Sequence, residues 1–124
     1  VVVLKGATTS VSDGLQTWTL RKPNPMLATG GSGDILSGVI AGFIAQHHRL
    51  PAMKGSSAVA ETSTGRIGLF ELACLGVAAH NMAALQWSQA HRGARGGMMA
   101  SDLLDHLPES VQMLRSASEQ EPMD

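Results

Sequence analysis

The distribution of hydrophobic positions predicts strands first and helices later. Residues 1–5 (VVVLK) form a β-branched apolar run, which predicts a central strand with neighbours on both edges and helices on both faces. Two shorter β-rich runs follow at residues 9–11 and 17–20, with a hairpin signal (SDG) at residues 12–14. We therefore expect a strand and a small hairpin in the first 20 residues.

Helical spacing dominates the remainder of the chain. After Asp34 the apolar residues recur at i, i+4 and i+8 on two adjacent rows, which predicts a helix that fades at residues 46–48. The two rows consist of Ile35, Val39 and Phe43, and of Leu36, Ile40 and Ile44. A second long helix is predicted over residues 69–90, and its apolar stripe consists of Leu72, Leu75, Ala79, Met82 and Leu85.

Irregular segments separate and follow these helices. Residues 49–68 read as a long surface loop with one helical turn at 58–61, and residues 92–97 as a turn. Ser101 is the expected N-cap of a short helix that Pro108 interrupts. We expect residues 1–115 to form the folded part and residues 116–124 a polar, disordered tail.

Composition narrows the classes of protein that remain. The chain has 124 residues, 44% hydrophobic and 15% charged, with a formal net charge of −1, which fits one small domain with a core. This balance gives no basic footprint for nucleic acid and no polybasic membrane patch, and no apolar run is long enough to cross a bilayer. The single cysteine, Cys74, excludes an internal disulfide, and no Cys/His cluster has zinc spacing. We expect a reducing, cytoplasmic compartment.

The predicted elements carry more apolar surface that needs a sheet to cover it than the predicted strands can cover. The run at residues 1–5 and the two long helices each need strands that the short hairpin cannot supply. We therefore expect a missing N-terminal half, or a second copy of the chain, to complete the sheet.

Residues 28–38 (ATGGSGDILSG) carry the strongest chemical signal. Glycines allow close backbone approach and positive φ, their successive N–H groups form an anion nest, and the following helix adds the positive end of its dipole. A phosphate fits such a site, and Asp34 could take a proton from a substrate hydroxyl while the nest holds the transferring phosphoryl group. A glycine-rich turn that serves only as a tight helix entry is the alternative. Walker and dinucleotide-binding motifs are excluded, because Asp34 and Leu36 stand where those motifs need lysine and glycine.

These residues also resemble a known family. Residues 28–46 (ATGGSGDILSGVIAGFIAQ) resemble the signature of the ADP/ATP-dependent NAD(P)H-hydrate dehydratases, which belong to the ribokinase-like superfamily. VVVLKGATTSV resembles the strand and KGxxT segment of that family, and ELACLGVAAHNMAA and GMMASDLLDHLP resemble its two C-terminal helices. GxGD alone is moderately specific within the superfamily, whereas its combination with KGxxT and ASDLxxxLP is strongly specific.

The resemblance implies a fold, a reaction and a set of site residues. The fold is an α/β, ribokinase-like layered arrangement, here only its C-terminal part. The reaction is the repair of hydrated NADH or NADPH with ADP or ATP and Mg²⁺: a phosphoryl group passes to the added hydroxyl, phosphate leaves, and the nicotinamide double bond returns. Asp34 matches the catalytic base and substrate contact, and no residue matches a metal ligand. The residues that match nucleotide contacts are Lys5, Gly6, Ala7, Thr8, Thr9, Asn24, Pro25, Met26, Leu27, Ala28, Thr29, Gly30, Gly31, Ser32 and Gly33.

Several departures and alternatives remain. Family members are more than twice as long, and they often carry His-Gly where this chain has His80-Asn81. The alternatives are a ribokinase-like kinase of a vitamin precursor, such as a hydroxymethylpyrimidine or hydroxyethylthiazole, and a non-catalytic nucleotide-binding or oligomerising fragment. We interpret His80 as a core or interface histidine with a partner, and Cys74 as a buried small hydrophobe.

Overall fold

The computed structural model describes residues 1–47 and 67–119, which combine a small sheet with three helices. Three strands come first, then a short 3₁₀ turn, then the helices. In chain order the elements are β1 (Val2–Leu4), β2 (Thr9–Ser12), β3 (Thr17–Leu20), the 3₁₀ turn (Pro25–Leu27), α1 (Ser32–His47), α2 (Leu69–Ala90) and α3 (Asp102–Glu119). The chain is therefore of the α/β class, as the sequence predicts. The loop and helical turn predicted within residues 49–66 lie outside the described residues.

The sheet is antiparallel, with the strand order β1-β2-β3. The predicted hairpin between β2 and β3 is confirmed, and its register pairs Val11 with Trp18. Asp13 closes the turn, because its Oδ1 accepts the N–H groups of Leu15 and Gln16, each at 2.9 Å. These bonds, with that to Gln16 first, lower the pKa of the Asp13 carboxyl.

The prediction that residues 1–5 form a central strand buried on both faces is wrong for the described residues. β1 lies at an edge of this sheet and pairs only with β2. Val3 turns inward and packs on the cluster formed by Val11, Leu36, Ala73 and Val77, whereas Val2 and Leu4 are 67% and 71% exposed. The physical reason is that the helices cover one face of the sheet, so alternate side chains of β1 have no neighbour.

The two long helices agree closely with the hydrophobic periodicity. α1 begins two residues before Asp34, and α2 matches the predicted range of 69–90. The helices approach closely where Gly76 meets Ile40: a Cβ at Gly76 would lie 2.5 Å from Ile40 Cγ1. Glycine at this position therefore permits the α1–α2 packing.

The predicted apolar stripe of α2 is only partly correct. Leu72 and Ala79 are fully buried, but Leu75 and Leu85 are 38% and 43% exposed. The buried face is built mainly from small residues, because α1, α3 and the sheet all pack against α2. This face also contains His80, which confirms its interpretation as a core histidine.

α3 is longer and more continuous than predicted. Pro108 lies inside it and does not interrupt it. Proline leaves the carbonyl of Leu104 without its helical donor, and it does so on the exposed side of the helix, where Leu104 is 52% exposed. Asp102, in the first turn, accepts through its Oδ2 the N–H of Met99, which precedes the helix, at 2.8 Å, and the Ser101 cap stays a prediction. The helix also extends past Ser116 to Glu119, and residues 120–124 lie outside the described part.

Candidate functional site

A cavity of about 450 Å³ opens beside the sheet, between the segment after β1, the segment around the 3₁₀ turn, and the helices α1 and α2. This volume lies within the usual range of small-molecule sites. The residues that line it are Lys5, Gly6, Ala7, Thr9, Leu20, Lys22, Pro23, Asn24, Pro25, Leu27, Ala28, Leu36, Val77, His80 and Asn81. The cavity combines apolar walls with a few polar groups, which is the usual composition of a site for a small organic ligand.

The 3₁₀ turn forms one wall and is fixed from within. Asn24 caps it, because Asn24 Oδ1 accepts the N–H of Met26 at 3.3 Å. The carbonyl of Leu27 accepts hydrogen bonds from Lys5 Nζ at 2.9 Å and from Ser32 Oγ at 2.6 Å. This single carbonyl thus joins the end of β1, the 3₁₀ turn and the beginning of α1.

The glycine-rich turn leads directly into α1. Gly31 has φ +86°, a conformation that side chains rarely adopt, and a Cβ there would lie 3.2 Å from Ala100 Cβ. The N–H groups of Ser32 and Asp34 bond to the carbonyls of Thr29 and Gly31, so these two donors are used inside the turn. The positive end of the α1 dipole lies at this point.

Lys5 connects the glycine-rich turn with the cavity. Its side chain lines the cavity, and a methyl group at Gly33 would lie 3.9 Å from Lys5 Cδ. A lysine beside the N-terminus of a helix places two sources of positive potential together. Positive potential of this kind favours a bound anion.

Asp34 lies in the first turn of α1, directly after Gly33, and its residue is exposed. It does not line the cavity. The carboxylate therefore lies outside the cavity, on a surface that a second molecule could reach.

His80, on α2, is hydrogen-bonded to the start of α1. It is 2% exposed, and its Nε2 donates to the carbonyl of Ser32 at 2.8 Å. Burial lowers the pKa of His80; the bond to Ser32 acts in the opposite direction, and the positive charge of Lys5 lowers the pKa further. The imidazole is consequently neutral at pH 7, and it serves as a hydrogen-bond donor without adding charge.

The structure brings together part of the predicted set of site residues. The members that line the cavity are Lys5, Gly6, Ala7, Thr9, Asn24, Pro25, Leu27 and Ala28. The members that do not are Thr8, Met26, Thr29, Gly30, Gly31, Ser32, Gly33 and Asp34. Of this second group Met26 and Ser32 are buried, and Ser32 acts through its bonds to Leu27 and His80. The binding roles themselves stay predictions.

The sequence interpretation missed about half of the residues that line the cavity. The lining residues that it did not include are Leu20, Lys22, Pro23, Leu36, Val77, His80 and Asn81. One signal could have found two of them: His80 and Asn81 are adjacent polar residues in a helix segment otherwise rich in alanine. Adjacent polar residues at the buried face of a helix need partners or a ligand.

The described residues offer little for other kinds of site. Within residues 1–47 and 67–119 there is no group of three or more His, Cys, Asp or Glu side chains that could hold a metal ion. No helix in that part of the chain is long and apolar enough to cross a membrane, and the cytoplasmic location stays a prediction. Cys74 is half-buried, so its interpretation as a fully buried hydrophobe is wrong, although it packs beside the sheet and helix core. Burial, with Glu71 adding to it, raises the pKa of its thiol, which disfavours a role as a nucleophile.

Comparison with known proteins gives consistent results. A family model described as NAD(P)H-hydrate dehydratase matches residues 1–109. The chain is 40% identical over 109 residues to the bifunctional NAD(P)H-hydrate repair enzyme Nnr of Vibrio cholerae, an alignment that covers 88% of this chain and 18% of that protein. It is 38% identical over 108 residues to Nnr of Coxiella burnetii, covering 86% of this chain and 18% of the relative.

A shorter match concerns a relative whose name specifies the nucleotide. The chain is 40% identical over 48 residues to the ADP-dependent (S)-NAD(P)H-hydrate dehydratase of Nitrosopumilus maritimus, covering 39% of this chain and 17% of that protein. The chain thus spans about a fifth of the length of these relatives.

Proposed function

Because the chain belongs to the NAD(P)H-hydrate dehydratase family, we propose that it forms the nucleotide-binding part of an enzyme that repairs hydrated NADH and NADPH. The nucleotide that we propose is ADP, which the name of the Nitrosopumilus relative specifies. A ribokinase-like arrangement is the fold that we propose for the whole domain. The observation that carries the proposal is the junction of Lys5 with Gly33 beside the cavity.

The physical character of the site supports one orientation of the nucleotide. Leu20, Leu36 and Val77 give the cavity apolar surfaces that suit a planar base, whereas phosphates need positive charge and N–H donors. Lys5 and the N-terminus of α1 provide these at one side. The base therefore enters the cavity, and the phosphates lie over Lys5 and the glycine-rich turn.

Asp34 is the base in the proposed reaction. It takes the proton from the hydroxyl that hydration added to the nicotinamide ring, and the oxygen attacks the terminal phosphorus of ADP. Lys5 and the helix terminus stabilise the negative charge on the transferring group and on the AMP that leaves. Inorganic phosphate then departs from the ring, a proton is lost from the adjacent carbon, and the double bond forms.

The resemblance also implies Mg²⁺. The described residues contain no cluster of ligands for it, so we assign it no protein ligand. Mg²⁺ commonly binds through substrate phosphates and one or two carboxylates, and when bound it would neutralise phosphate charge.

Nucleotide binding can be tested directly by calorimetric titration of the intact gene product with ADP. Lys5→Ala should weaken ADP binding about 10- to 100-fold, the scale of a lost hydrogen bond to a charged group. Arg21→Ala is the matched control, since Arg21 is exposed and does not line the cavity. Equal ADP affinities for the Lys5 variant and the wild type would contradict the proposed phosphate position.

The reaction itself is tested by incubating the intact gene product with hydrated NADH, ADP and Mg²⁺. We expect NADH absorbance to return with release of AMP and phosphate. Phosphorylation of a hydroxymethylpyrimidine or hydroxyethylthiazole without NADH recovery would instead support the kinase alternative. ADP binding with neither reaction would support a non-catalytic nucleotide-binding protein.

A further inference from the structure

Two asparagines connect the 3₁₀ turn with α2 across the cavity. Asn24 Nδ2 donates to Asn81 Oδ1 at 3.2 Å, and both residues line the cavity. Asn24 Oδ1 in turn accepts the N–H of Met26. Asn81 is 7% exposed, so it is a buried polar side chain at the ligand surface.

This chain of bonds fixes which way each amide faces. The backbone N–H of Met26 can only donate, so the oxygen of Asn24 must face it. The nitrogen of Asn24 must then face Asn81 and donate, so the oxygen of Asn81 is its acceptor. The nitrogen of Asn81 is left on the other side of its amide as a donor of two hydrogens.

That nitrogen keeps accessible surface in a residue that lines the cavity. Within the described residues it has no hydrogen-bond partner, yet no fully buried side-chain nitrogen or oxygen there lacks one. The Asn81 Nδ2 is therefore accessible, and the accessible space beside Asn81 is the cavity.

We propose that Asn81 determines the orientation and identity of the nucleotide base by donating a hydrogen bond to an unprotonated ring nitrogen of a purine. This inference rests on the proposed function, which places the base in the cavity. The donor is neutral and lies on α2, as Val77 does. The lysines that line the cavity are Lys5 and Lys22, and Lys5 is the one beside the start of α1. A purine ring nitrogen is an acceptor without hydrogen, and it matches an amide N–H on an otherwise apolar wall.

The first test uses the wild-type protein and ADP analogues in which one ring nitrogen is replaced by C–H: 1-deaza-, 3-deaza- and 7-deaza-ADP. One of the three should bind about tenfold more weakly than ADP, because it leaves the Asn81 donor unpaired. Equal binding of all three analogues and ADP would overturn the inference.

The second test uses Asn81→Asp, which keeps the acceptor for Asn24 and removes the donor. The affinity for ADP should fall at least tenfold relative to the wild type. The affinity for the deaza analogue that the wild type binds weakly should fall by a smaller factor. Gln86→Glu is the matched control: Gln86 is 9% exposed on the same helix, accepts a bond from Ser110 through its oxygen, and does not line the cavity. It should leave the preference among analogues unchanged.

Asn24→Asp provides a second variant. Its carboxylate still accepts the N–H of Met26 but offers no donor, so the Asn81 amide should turn and present its oxygen to the cavity. Sensitivity to the deaza substitution should then disappear. If the wild type binds ADP but neither variant alters the order of the analogues, the Asn81 inference fails while the proposed function stands. If the wild type does not bind ADP at all, the proposed function fails.

Discussion

His80 on α2 donates a 2.8 Å hydrogen bond to the main-chain carbonyl of Ser32, at the start of α1. Ser32 also bonds through its hydroxyl to Leu27, so this one residue joins the helix beneath the site to the 3₁₀ turn. Asp34 follows two residues later. The position of the proposed base is thus set from α2 as well as from its own helix.

The His80 bond predicts a pH dependence of stability. Burial lowers the pKa of His80 in the folded protein below its ordinary value of 6.5, so the unfolded chain binds this proton first as pH falls. At pH well above 6.5 the group is neutral in both states and makes no pH-dependent contribution. As pH falls below 6.5, the free energy of unfolding should decrease, and the decrease should end once pH is below the pKa of His80 in the folded protein.

Chemical denaturation across pH 5 to 8 measures this dependence. His80→Gln keeps a donor for Ser32 and cannot titrate, so its stability should fall less steeply below pH 6.5. His47→Gln is the control, because His47 is exposed. Parallel curves for the wild type and His80→Gln would show that this histidine does not supply the dependence.

Asp34→Asn should separate chemistry from nucleotide binding. Asparagine cannot accept the proton from the substrate hydroxyl, so turnover of hydrated NADH by the intact gene product should fall about 10²- to 10⁴-fold. ADP affinity should stay nearly unchanged, since Asp34 does not line the cavity. Steady-state kinetics and calorimetry measure the two effects. Asp105→Asn, an exposed acid on α3, is the control, and near-normal turnover by Asp34→Asn would remove Asp34 from the mechanism.

Two glycines of the turn should respond differently to alanine. At Gly33 the added methyl meets only Lys5 Cδ at 3.9 Å, so Gly33→Ala should fold normally yet bind ADP at least tenfold more weakly, because the methyl stands where the phosphate approaches. At Gly31, φ is +86° and the methyl lies 3.2 Å from Ala100 Cβ, so Gly31→Ala should lose about 1–2 kcal/mol of stability.

Thermal or chemical unfolding and ADP titration of both variants provide the measurement. Comparison of the two variants separates a loss of ADP binding from a loss of stability, since only Gly31→Ala introduces backbone strain. Unchanged ADP affinity of a folded Gly33→Ala protein would place the phosphate elsewhere.

Local signals account for the parts of the fold that the sequence predicts well. The β2–β3 turn is specified by Asp13 and Gly14, and the spacing of apolar residues is sufficient to locate α1 and α2. The exposure of β1 was not predictable, because a β-branched run does not identify its neighbours. The site also has a part that the sequence predicts and a part that it does not. Lys5 and the glycine-rich turn belong to short motifs that can be recognised in the sequence. The Asn24–Asn81 contact joins residues 57 apart, so only the folded chain shows it.

The exposed side of β1 predicts association. Val2 and Leu4 present apolar side chains at an edge strand, which favours pairing with another chain. Val2→Thr together with Leu4→Thr should shift the purified chain toward monomer in sedimentation experiments. Leu15→Thr is the control, since Leu15 is 97% exposed in the hairpin turn, away from this edge. A wild-type chain that sediments as a monomer with one cooperative thermal transition would contradict the prediction.

The contact between Gly76 and Ile40 has a consequence for motion. Ile40 occupies the notch that the missing side chain leaves, so sliding α1 along α2 would press Ile40 against the larger neighbours of Gly76. A ligand that needed α1 to move along α2 would have to break this contact, so we expect the α1–α2 pair to keep its arrangement when a ligand binds.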